Sequence, residues 1–260
     1  MPLTLPDKAV IACVHLLPTP GSPRYDGDLR RVYETAVCEA EIFLRHGVDA
    51  LIVENARDFP WHPQSVPPET TATMAGVTRE IVRMSCRPVG VAVLRNDASA
   101  AMAVAACTGA AFIRVNVHIG AAFAAQGILT GDSHRTLRLR QALRADVAVF
   151  ADAGVKHSQP FAYPDLATEI RDLSGLADGV IVSGELTGVG TSVDDLDLAR
   201  RTTRLPLLVG SGVTQDNLSA MYERADGFIV GSHFKIDGLA GNPVDEGRVE
   251  ALMKHVRSLR

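Results

Sequence analysis

The sequence predicts an α/β fold, a single-domain (β/α)8 barrel of the TIM type, and three observations support this prediction. One local pattern recurs: a helical stretch, a turn of Gly, Ala or Asp, and a short β-branched run, as in HGVDALIVEN (46–55) and RADGFIVGS (224–232). Eight such strand–helix units fit within the 260 residues, and barrels of this type typically contain about 250. Polar residues are concentrated where the predicted strands end, and such barrels carry their active sites there.

Each predicted strand is a short hydrophobic run, as expected for parallel strands that are buried on both faces. In chain order the strands are 9–15, 50–54, 89–94, 111–118, 146–152, 179–183, 205–210 and 227–231. Helical patterns separate them, at 29–46, 70–85 and 98–108 among others. A last helix is predicted over 244–259, with Asp245 as its N-cap. The proline-rich segment 59–69 follows the second strand as a long βα loop, and no linker divides residues 1–260, which predicts one barrel domain.

Net charge and cysteine spacing argue against several classes of partner. The formal net charge of −4 and a pI of about 6.1 give no reason to expect nucleic acid or an anionic membrane. The basic segment 134–144 is interpreted as a solvated helix face. The four cysteines, Cys13, Cys38, Cys86 and Cys107, form no CxxC pair, which favours reduced thiols in the cytoplasm over a disulfide framework or a cysteine zinc site. Signal-peptide features and long apolar runs are missing, so no membrane insertion is expected.

The fourth strand, AFIRVNVH (111–118), places Arg114, Asn116 and His118 on one face. These polar side chains are expected to point into the barrel, because the opposite face packs against apolar helices. For Arg114 a structural ion pair with Asp152 or Glu54 is favoured. Asn116 is an intermediate case that orients a neighbour or binds substrate. His118, nearest the end of the strand, is the candidate acid, base or ligand.

The glycine-rich ends of the seventh and eighth strands predict a phosphate site. LVGSGVTQDN (208–217) places Gly210, Ser211 and Gly212 after one strand, and Gly231 and Ser232 follow the next. Glycines let backbone N–H groups approach a phosphate closely, and barrels of this type usually bind phosphate at these two loops. The alternative is that glycine simply ends the strands. Gln215 stands where a dinucleotide fingerprint needs its third glycine, so NAD is not expected. His15, Asn96 and Asn116 are further candidates for substrate binding.

Groups for acid–base chemistry are expected at the same face of the barrel. Glu54 ends the second strand, Asp152 ends the fifth, and Lys156 and His157 follow it. Together with His118 they are the candidate catalytic residues. The Lys156 amine could form a Schiff base or pair with an anionic substrate, although a loop lysine is more often solvated or paired.

A divalent metal ion is an alternative use of these groups. His15, His118 and His157, with Glu54 and Asp152, offer suitable ligand types. No HxH or HExxH spacing occurs, so no metal ligands are assigned and no cofactor is certain. The sequence also lacks a GxSxG elbow, a Walker A loop and an EF-hand loop.

Several long motifs resemble those of the BtpA/SgcQ family almost end to end. They are VHLLPTPGSPRY (14–25), VENARDFPW (53–61), VLRNDASAAMAVA (93–105), FIRVNVHIGA (112–121), VKHSQP (155–160) and LVGSGVTQDN (208–217). The resemblance implies the same barrel. One branch of the family is described as a factor for photosystem I biogenesis or stability, while SgcQ-type relatives accompany sugar-transport and sugar-phosphate genes. Ala56, Arg57 and the loop 119–126 are variable relative to the family pattern, which puts substrate recognition there in doubt.

The residues favour an enzyme that acts on a small phosphorylated molecule, a sugar phosphate or a nucleotide-like compound, by acid–base isomerase or lyase chemistry. The resemblance implies an alternative, a non-catalytic biogenesis or stability factor for a membrane complex. A metal-dependent hydrolase is the second alternative. A homo-oligomer stays open, because barrels often self-associate and no residue identifies an interface.

Overall fold

Eight parallel strands close into a barrel in the computed structural model, which describes residues 3, 5–154, 158–161, 163, 165–184 and 191–260. The barrel strands are β1 (Ala9–His15), β2 (Ala50–Glu54), β3 (Val89–Ala92), β4 (Phe112–Val115), β7 (Ala148–Ala153), β9 (Gly179–Val182), β10 (Leu207–Val209) and β11 (Gly227–Val230). Each pairs with the barrel strand that follows it in the chain, and β1 pairs with both β2 and β11. The predicted (β/α)8 barrel is confirmed.

One helix follows each barrel strand and covers the outside. The helices are α1 (Leu29–Arg45), α2 (Pro68–Met84), α3 (Ala98–Thr108), α4 (Ser133–Ala142), α5 (Leu166–Leu173), α6 (Val193–Thr202), α7 (Gln215–Tyr222) and α8 (Glu246–Leu259). Asp245 caps α8 as predicted, since its side chain accepts a hydrogen bond from the Arg248 backbone N–H. Within the described part of the chain, no helix is long and apolar enough to span a membrane.

Two hydrophobic layers result from the alternation of side chains along the strands. The outward layer packs against the helices, and the inward layer fills the lower half of the barrel with residues such as Ile52, Phe112 and Phe150. The two phenylalanine rings lie 5.3 Å apart. Gly90 and Gly179 leave room for them, because a Cβ would lie 2.1 Å from the Phe112 ring and 2.3 Å from the Phe150 ring. Apolar side chains therefore form a hydrophobic plug in the N-terminal half of the barrel, and the polar side chains lie on the C-terminal side of this plug.

The predicted fourth strand is longer than the observed one, which ends at Val115. Val117, the next residue on the outward face, forms its backbone hydrogen bonds with the Asn96 side chain instead of with a neighbouring strand. Val117 donates its N–H to Asn96 Oδ1 at 2.8 Å, and Asn96 Nδ2 donates to the Val117 carbonyl at 2.9 Å. An amide side chain thus replaces a strand partner, and the chain leaves the barrel at this point.

A small antiparallel sheet that the sequence did not predict follows β4. It consists of β5 (Ala121–Ala124), β6 (Gly127–Thr130) and β8 (Ser158–Pro160), with β5 in the middle. Segment 119–126, expected as a variable loop, thus contributes a strand. The sheet joins the loops after β4 and β7 beside the mouth of the barrel.

Candidate active site

A cavity of about 230 Å³ opens at the C-terminal ends of the barrel strands. It lies above the hydrophobic plug, at the end of the barrel where the sequence placed the polar residues. Most of the predicted site residues line it: His15, Glu54, Asn116, Asp152, Gly210, Ser211, Gly212, Gly231 and Ser232. The lining also includes a thiol and two guanidinium groups, those of Cys13, Arg95 and Arg114.

Arg114 and Asp152 form a double-hydrogen-bonded ion pair across β4 and β7. Arg114 Nε donates to Asp152 Oδ1 at 3.0 Å and Nη2 donates to Oδ2 at 2.9 Å. Glu54 Oε1 lies 3.6 Å from Arg114 Nη1 on the other side. Burial by itself lowers the pKa of Arg114, but the two carboxylates outweigh it and raise this pKa. Arg114 is therefore a fixed cation, and its predicted ion pair with Asp152 or Glu54 is confirmed, with both carboxylates in contact.

Asn116 and Arg95 extend this polar network toward the rim. Asn116 Nδ2 donates to Asp152 Oδ2 at 2.7 Å, and its Oδ1 accepts from Arg95 Nη1 at 3.3 Å. The Arg95 guanidinium also lies 5.9 Å from the centre of the Trp61 ring. Burial is the main influence on Arg95 and lowers its pKa, while the Asp152 carboxylate opposes that shift. A buried guanidinium at the mouth provides attraction for an anionic ligand.

Cys13, His15 and Glu54 form a second group on the opposite wall. All three are buried, and their ligand atoms lie within 4.8 Å of one another. Cys13 and His15 are two residues apart on β1 and therefore share its inner face. Glu54 is directly opposite His15 in the β1–β2 register. Sequence reasoning missed Cys13, although the Cys-x-His alternation on a strand was the available signal.

The glycine loops after β10 and β11 face these charged groups. At Gly210 a Cβ would lie 2.3 Å from Ile181 Cγ2 and 3.2 Å from Arg114 Nη2, so only glycine leaves the arginine in place. Gly212 has a φ of +69°, a conformation that glycine adopts without strain. The N-terminus of α7 is closed by its own capping box between Thr214 and Asn217. The backbone N–H groups that could bind a ligand are therefore those of the two glycine loops rather than those at the N-terminus of α7.

A buried ion-pair network supports β1 from behind. The Lys235 ammonium is completely buried and lies 2.6 Å from Glu39 Oε2, and the same oxygen accepts the backbone N–H of His15 at 3.2 Å. Arg57 Nη2 approaches the other Glu39 oxygen at 3.4 Å. Burial lowers the pKa of Lys235, although the Glu39 carboxylate opposes this. Sequence reasoning missed this pair, whose members are far apart in the chain.

Two predicted site residues that the structure describes, His118 and Asn96, are not among those that line the cavity. His118 is buried elsewhere and its Nε2 donates to the Leu176 carbonyl at 3.0 Å. Asn96 is occupied with the Val117 backbone and also donates to the Thr130 carbonyl at 3.1 Å. Lys156 and His157 lie outside the described residues.

A larger cavity of about 930 Å³ opens at the opposite, N-terminal end of the barrel, between Leu5, Arg140 and Arg204. It is bordered by the loops that lead into the strands. Residues at that end of such barrels serve stability, whereas chemistry occurs at the C-terminal end. The smaller cavity, with its converging acids, bases and glycines, is therefore the candidate active site.

Comparison with known proteins agrees with the motifs of the sequence. The family model described as "BtpA family" matches residues 6–258. The chain belongs to the BtpA family. It is 42% identical over 248 residues, 94% of this chain and 86% of the other, to the photosystem I biogenesis protein BtpA of Synechocystis sp.. A mitochondrial protein of Caenorhabditis elegans described as uncharacterized is 33% identical, covering 96% of this chain and 94% of its own.

Two solved structures with the same architecture are those of an isomerase and of a synthase. This BtpA family member is similar to N-(5'-phosphoribosyl)anthranilate isomerase from Pyrococcus furiosus, with a TM-score of 0.60, 17% identity and coverage of 96% of this chain and 99% of that one. Tryptophan synthase of Mycobacterium tuberculosis gives a TM-score of 0.63 at 16% identity, covering 96% and 93%. At this level of identity the likeness establishes the fold.

Proposed function

We propose that this BtpA family member is an enzyme that binds a small phosphorylated molecule, a sugar phosphate or a nucleotide-like compound, in the cavity at the barrel mouth. The observation that carries the proposal is the position of the two glycine loops. Gly210–Gly212 and Gly231–Ser232 border the same cavity as the buried side chains of Arg95, Arg114 and Asp152. A phosphate held by the loops would place the rest of the molecule against those groups.

The charges of the cavity support an anionic ligand. The Arg114 charge is balanced by Asp152 on one side and Glu54 on the other. Arg95 donates a hydrogen bond to Asn116 Oδ1, and its guanidinium lies 5.9 Å from the centre of the Trp61 ring. Two guanidinium groups, those of Arg95 and Arg114, therefore line one cavity, and guanidinium groups attract the phosphate or carboxylate group of a ligand.

Acid–base chemistry, as in an isomerase or a lyase, suits the remaining groups. The Glu54 carboxylate and the His15 imidazole lie together on one wall, with Nε2 and Oε2 3.7 Å apart. A carboxylate and an imidazole in a partly closed cavity are the usual pair for moving a proton on and off a carbon or oxygen. We assign the proton transfer to Glu54 and His15 and the orientation of the substrate to Asp152 and Asn116. The catalytic roles predicted for His118, Lys156 and His157 stay predictions.

Thermal unfolding with matched ligands tests the proposal. Sugar phosphates and nucleotides are compared with the same compounds lacking phosphate, since a ligand that binds only the native state raises the apparent Tm. We expect stabilisation by a phosphorylated compound alone. Ser232→Asp places a negative charge in the loop and should abolish it, whereas Ser219→Asp adds the same charge on the exposed face of α7. Equal stabilisation of both variants, or none of the wild type by any phosphorylated compound, would contradict the proposal.

The name of the Synechocystis relative suggests a second role, in biogenesis of a membrane complex. Such a role would not require groups in the cavity to transfer protons. Glu54→Gln keeps the size and hydrogen-bonding capacity of the side chain. If this variant stayed folded and fully restored the growth or assembly defect of a strain lacking the gene, the assembly role would be favoured over catalysis.

A further inference from the structure

We propose that Cys13, His15 and Glu54 bind a divalent transition-metal ion of the zinc type at the barrel mouth. This inference does not depend on the proposed binding of a phosphorylated molecule. With the ion bound, His15 and Glu54 would be its ligands in place of the proton-transfer role assigned above, because a lone pair that binds a metal ion cannot also accept a proton. The three side chains provide a thiolate, an imidazole nitrogen and a carboxylate oxygen, which are the ligand types that zinc and cobalt favour in proteins.

The distances suit a single ion. Cys13 Sγ lies 3.9 Å from Glu54 Oε1, His15 Nε2 lies 3.7 Å from the other carboxylate oxygen, Oε2, and one ligand atom from each residue lies within 4.8 Å of the other two. Around a tetrahedral zinc ion, with ligand bonds of about 2.0–2.3 Å, neighbouring ligand atoms are roughly 3.3–3.6 Å apart. Small side-chain rotations would bring the three atoms onto one ion.

The hydrogen bond on the far side of the His15 ring orients the imidazole for metal binding. Nδ1 lies 3.3 Å from the carbonyl oxygen of Ala240. Since a carbonyl oxygen only accepts, Nδ1 carries the proton in this contact, and the lone pair is on Nε2, the nitrogen that faces Glu54. Metal-binding histidines in proteins usually donate their other N–H to a carbonyl or carboxylate in this way.

Among the described residues, the glycine that follows β11 leaves space beside the three ligands. Gly231, directly after β11, faces them, and a Cβ there would lie 3.2 Å from His15 Nε2 and 3.5 Å from Cys13 Sγ. Three protein ligands with an open fourth position are typical of a catalytic rather than a structural zinc site. The fourth position would be taken by water or by an oxygen atom of the substrate.

The neighbouring charges are compatible with a bound cation. Arg114 lies 3.6 Å from Glu54 Oε1, but it also donates two hydrogen bonds to Asp152. Arg95 and Arg114 together balance Glu54 and Asp152, so a divalent ion with the Cys13 thiolate leaves one net positive charge in the cavity. That surplus would favour an anionic substrate in the same space.

Cobalt substitution of the full chain tests the site without any assay of activity. Protein treated with a chelator under reducing, oxygen-free conditions is titrated with Co²⁺ and, in parallel, with Zn²⁺, and bound metal is counted after desalting. We expect one ion per chain, the visible d–d bands of four-coordinate cobalt, and a thiolate-to-cobalt charge-transfer band in the near ultraviolet.

Matched variants decide which residues bind the ion. Cys13→Ser, which is nearly isosteric, should remove the charge-transfer band and weaken Zn²⁺ binding at least about tenfold. Glu54→Gln should weaken binding similarly. Cys38→Ser, which changes an exposed thiol on α1, should leave both measurements unchanged. Circular dichroism establishes that each variant is folded.

Two outcomes would overturn the inference: no retained metal in folded wild-type protein, or a cobalt spectrum that Cys13→Ser does not alter. Neither outcome would affect the proposed function, because phosphate-dependent stabilisation is measured separately on metal-free protein. Conversely, a metal bound by these residues without any stabilisation by phosphorylated compounds would retain the metal site and contradict the phosphate site.

Discussion

Asp152 on β7 accepts two parallel hydrogen bonds from Arg114 on β4, at 3.0 and 2.9 Å, inside a barrel whose lower half is filled with hydrocarbon. Only 1% of the Asp152 side chain and 11% of the Arg114 side chain are exposed. A buried pair of this kind is weak evidence for net stabilisation, but the loss of one partner leaves an uncompensated charge. The pair therefore fixes the floor of the cavity.

The substitution Asp152→Asn should destabilise the protein strongly. Asparagine has the same shape but no charge, so Arg114 would retain only the Glu54 carboxylate at 3.6 Å. Loss of one partner of a buried pair costs about 3–5 kcal/mol. Urea unfolding at neutral pH measures the change in the free energy of unfolding.

An exposed pair provides the control. Asp26 lies 3.0 Å from Arg31 Nη1, and both side chains are more than half exposed. Asp26→Asn should cost far less, because exposed ion pairs contribute little. If Asp26→Asn and Asp152→Asn lowered the free energy of unfolding equally, burial would not explain the contribution of the Arg114–Asp152 pair to stability.

The substitution Gly210→Ala should displace Arg114 from its position. The added methyl group would lie 2.3 Å from Ile181 Cγ2, 2.6 Å from Ser183 Oγ and 3.2 Å from Arg114 Nη2. Overpacking of this kind typically costs about 1–3 kcal/mol. Thermal unfolding should therefore give a lower Tm. Gly175→Ala is the matched control, since no atom lies within 4 Å of its added methyl group; a Tm as low as that of Gly210→Ala would contradict the explanation.

The strands could be predicted from the sequence because each is a local hydrophobic pattern. The ion pair of Arg114 could be predicted because a buried arginine requires a carboxylate partner. Buried parallel strands are short hydrophobic runs, and each predicted barrel strand begins within two residues of the observed one. An arginine on an inward strand face needs a carboxylate, and Asp152 and Glu54 were at the right ends of their strands.

Contacts between distant segments could not be predicted. Lys235 and Glu39 meet although they are 196 residues apart, and neither belongs to a motif. His118 follows the strand alternation in sequence, but the Asn96 amide ends the pairing before that residue, which is why it lies away from the cavity. Cys13 was set aside because a cysteine without a CxxC partner is a weak signal.

Burial of His118 should make stability depend on pH. Burial is the main cause that lowers the pKa of His118 below the 6.5 of an unperturbed imidazole, and the positive charge of Arg140 lowers this pKa further. The hydrogen bond to the Leu176 carbonyl and the carboxylates of Asp178 and Asp132 act in the opposite direction. The unfolded chain therefore binds a proton at pH values where the native imidazole stays neutral. Stability should rise with pH in that window and fall as the pH drops below about 6.5.

Comparison of His118→Gln with wild type isolates this contribution. Guanidinium unfolding between about pH 5 and pH 8 should give a shallower loss of stability in acid for the variant, because glutamine does not titrate. If His118→Gln had the same slope as wild type, protonation of another group would be responsible.

Removing one partner of the Lys235–Glu39 pair should lower the free energy of unfolding more than replacing both partners with uncharged side chains. Lys235→Met removes the cation but keeps the length of the side chain, and it leaves the Glu39 carboxylate with Arg57 at 3.4 Å and the His15 N–H at 3.2 Å. The expected loss is about 3 kcal/mol or more, as for other buried pairs deprived of one partner.

Adding Glu39→Gln to Lys235→Met should recover part of that stability. The glutamine oxygen can still accept the His15 backbone N–H, and of the three charged groups only the partly exposed Arg57 guanidinium keeps its charge. Urea unfolding of the wild type, both single variants and the double variant gives the coupling energy between the two side chains. Losses that simply add would mean that the ammonium and the carboxylate stabilise the protein independently, and β1 with His15 would then not depend on their pairing.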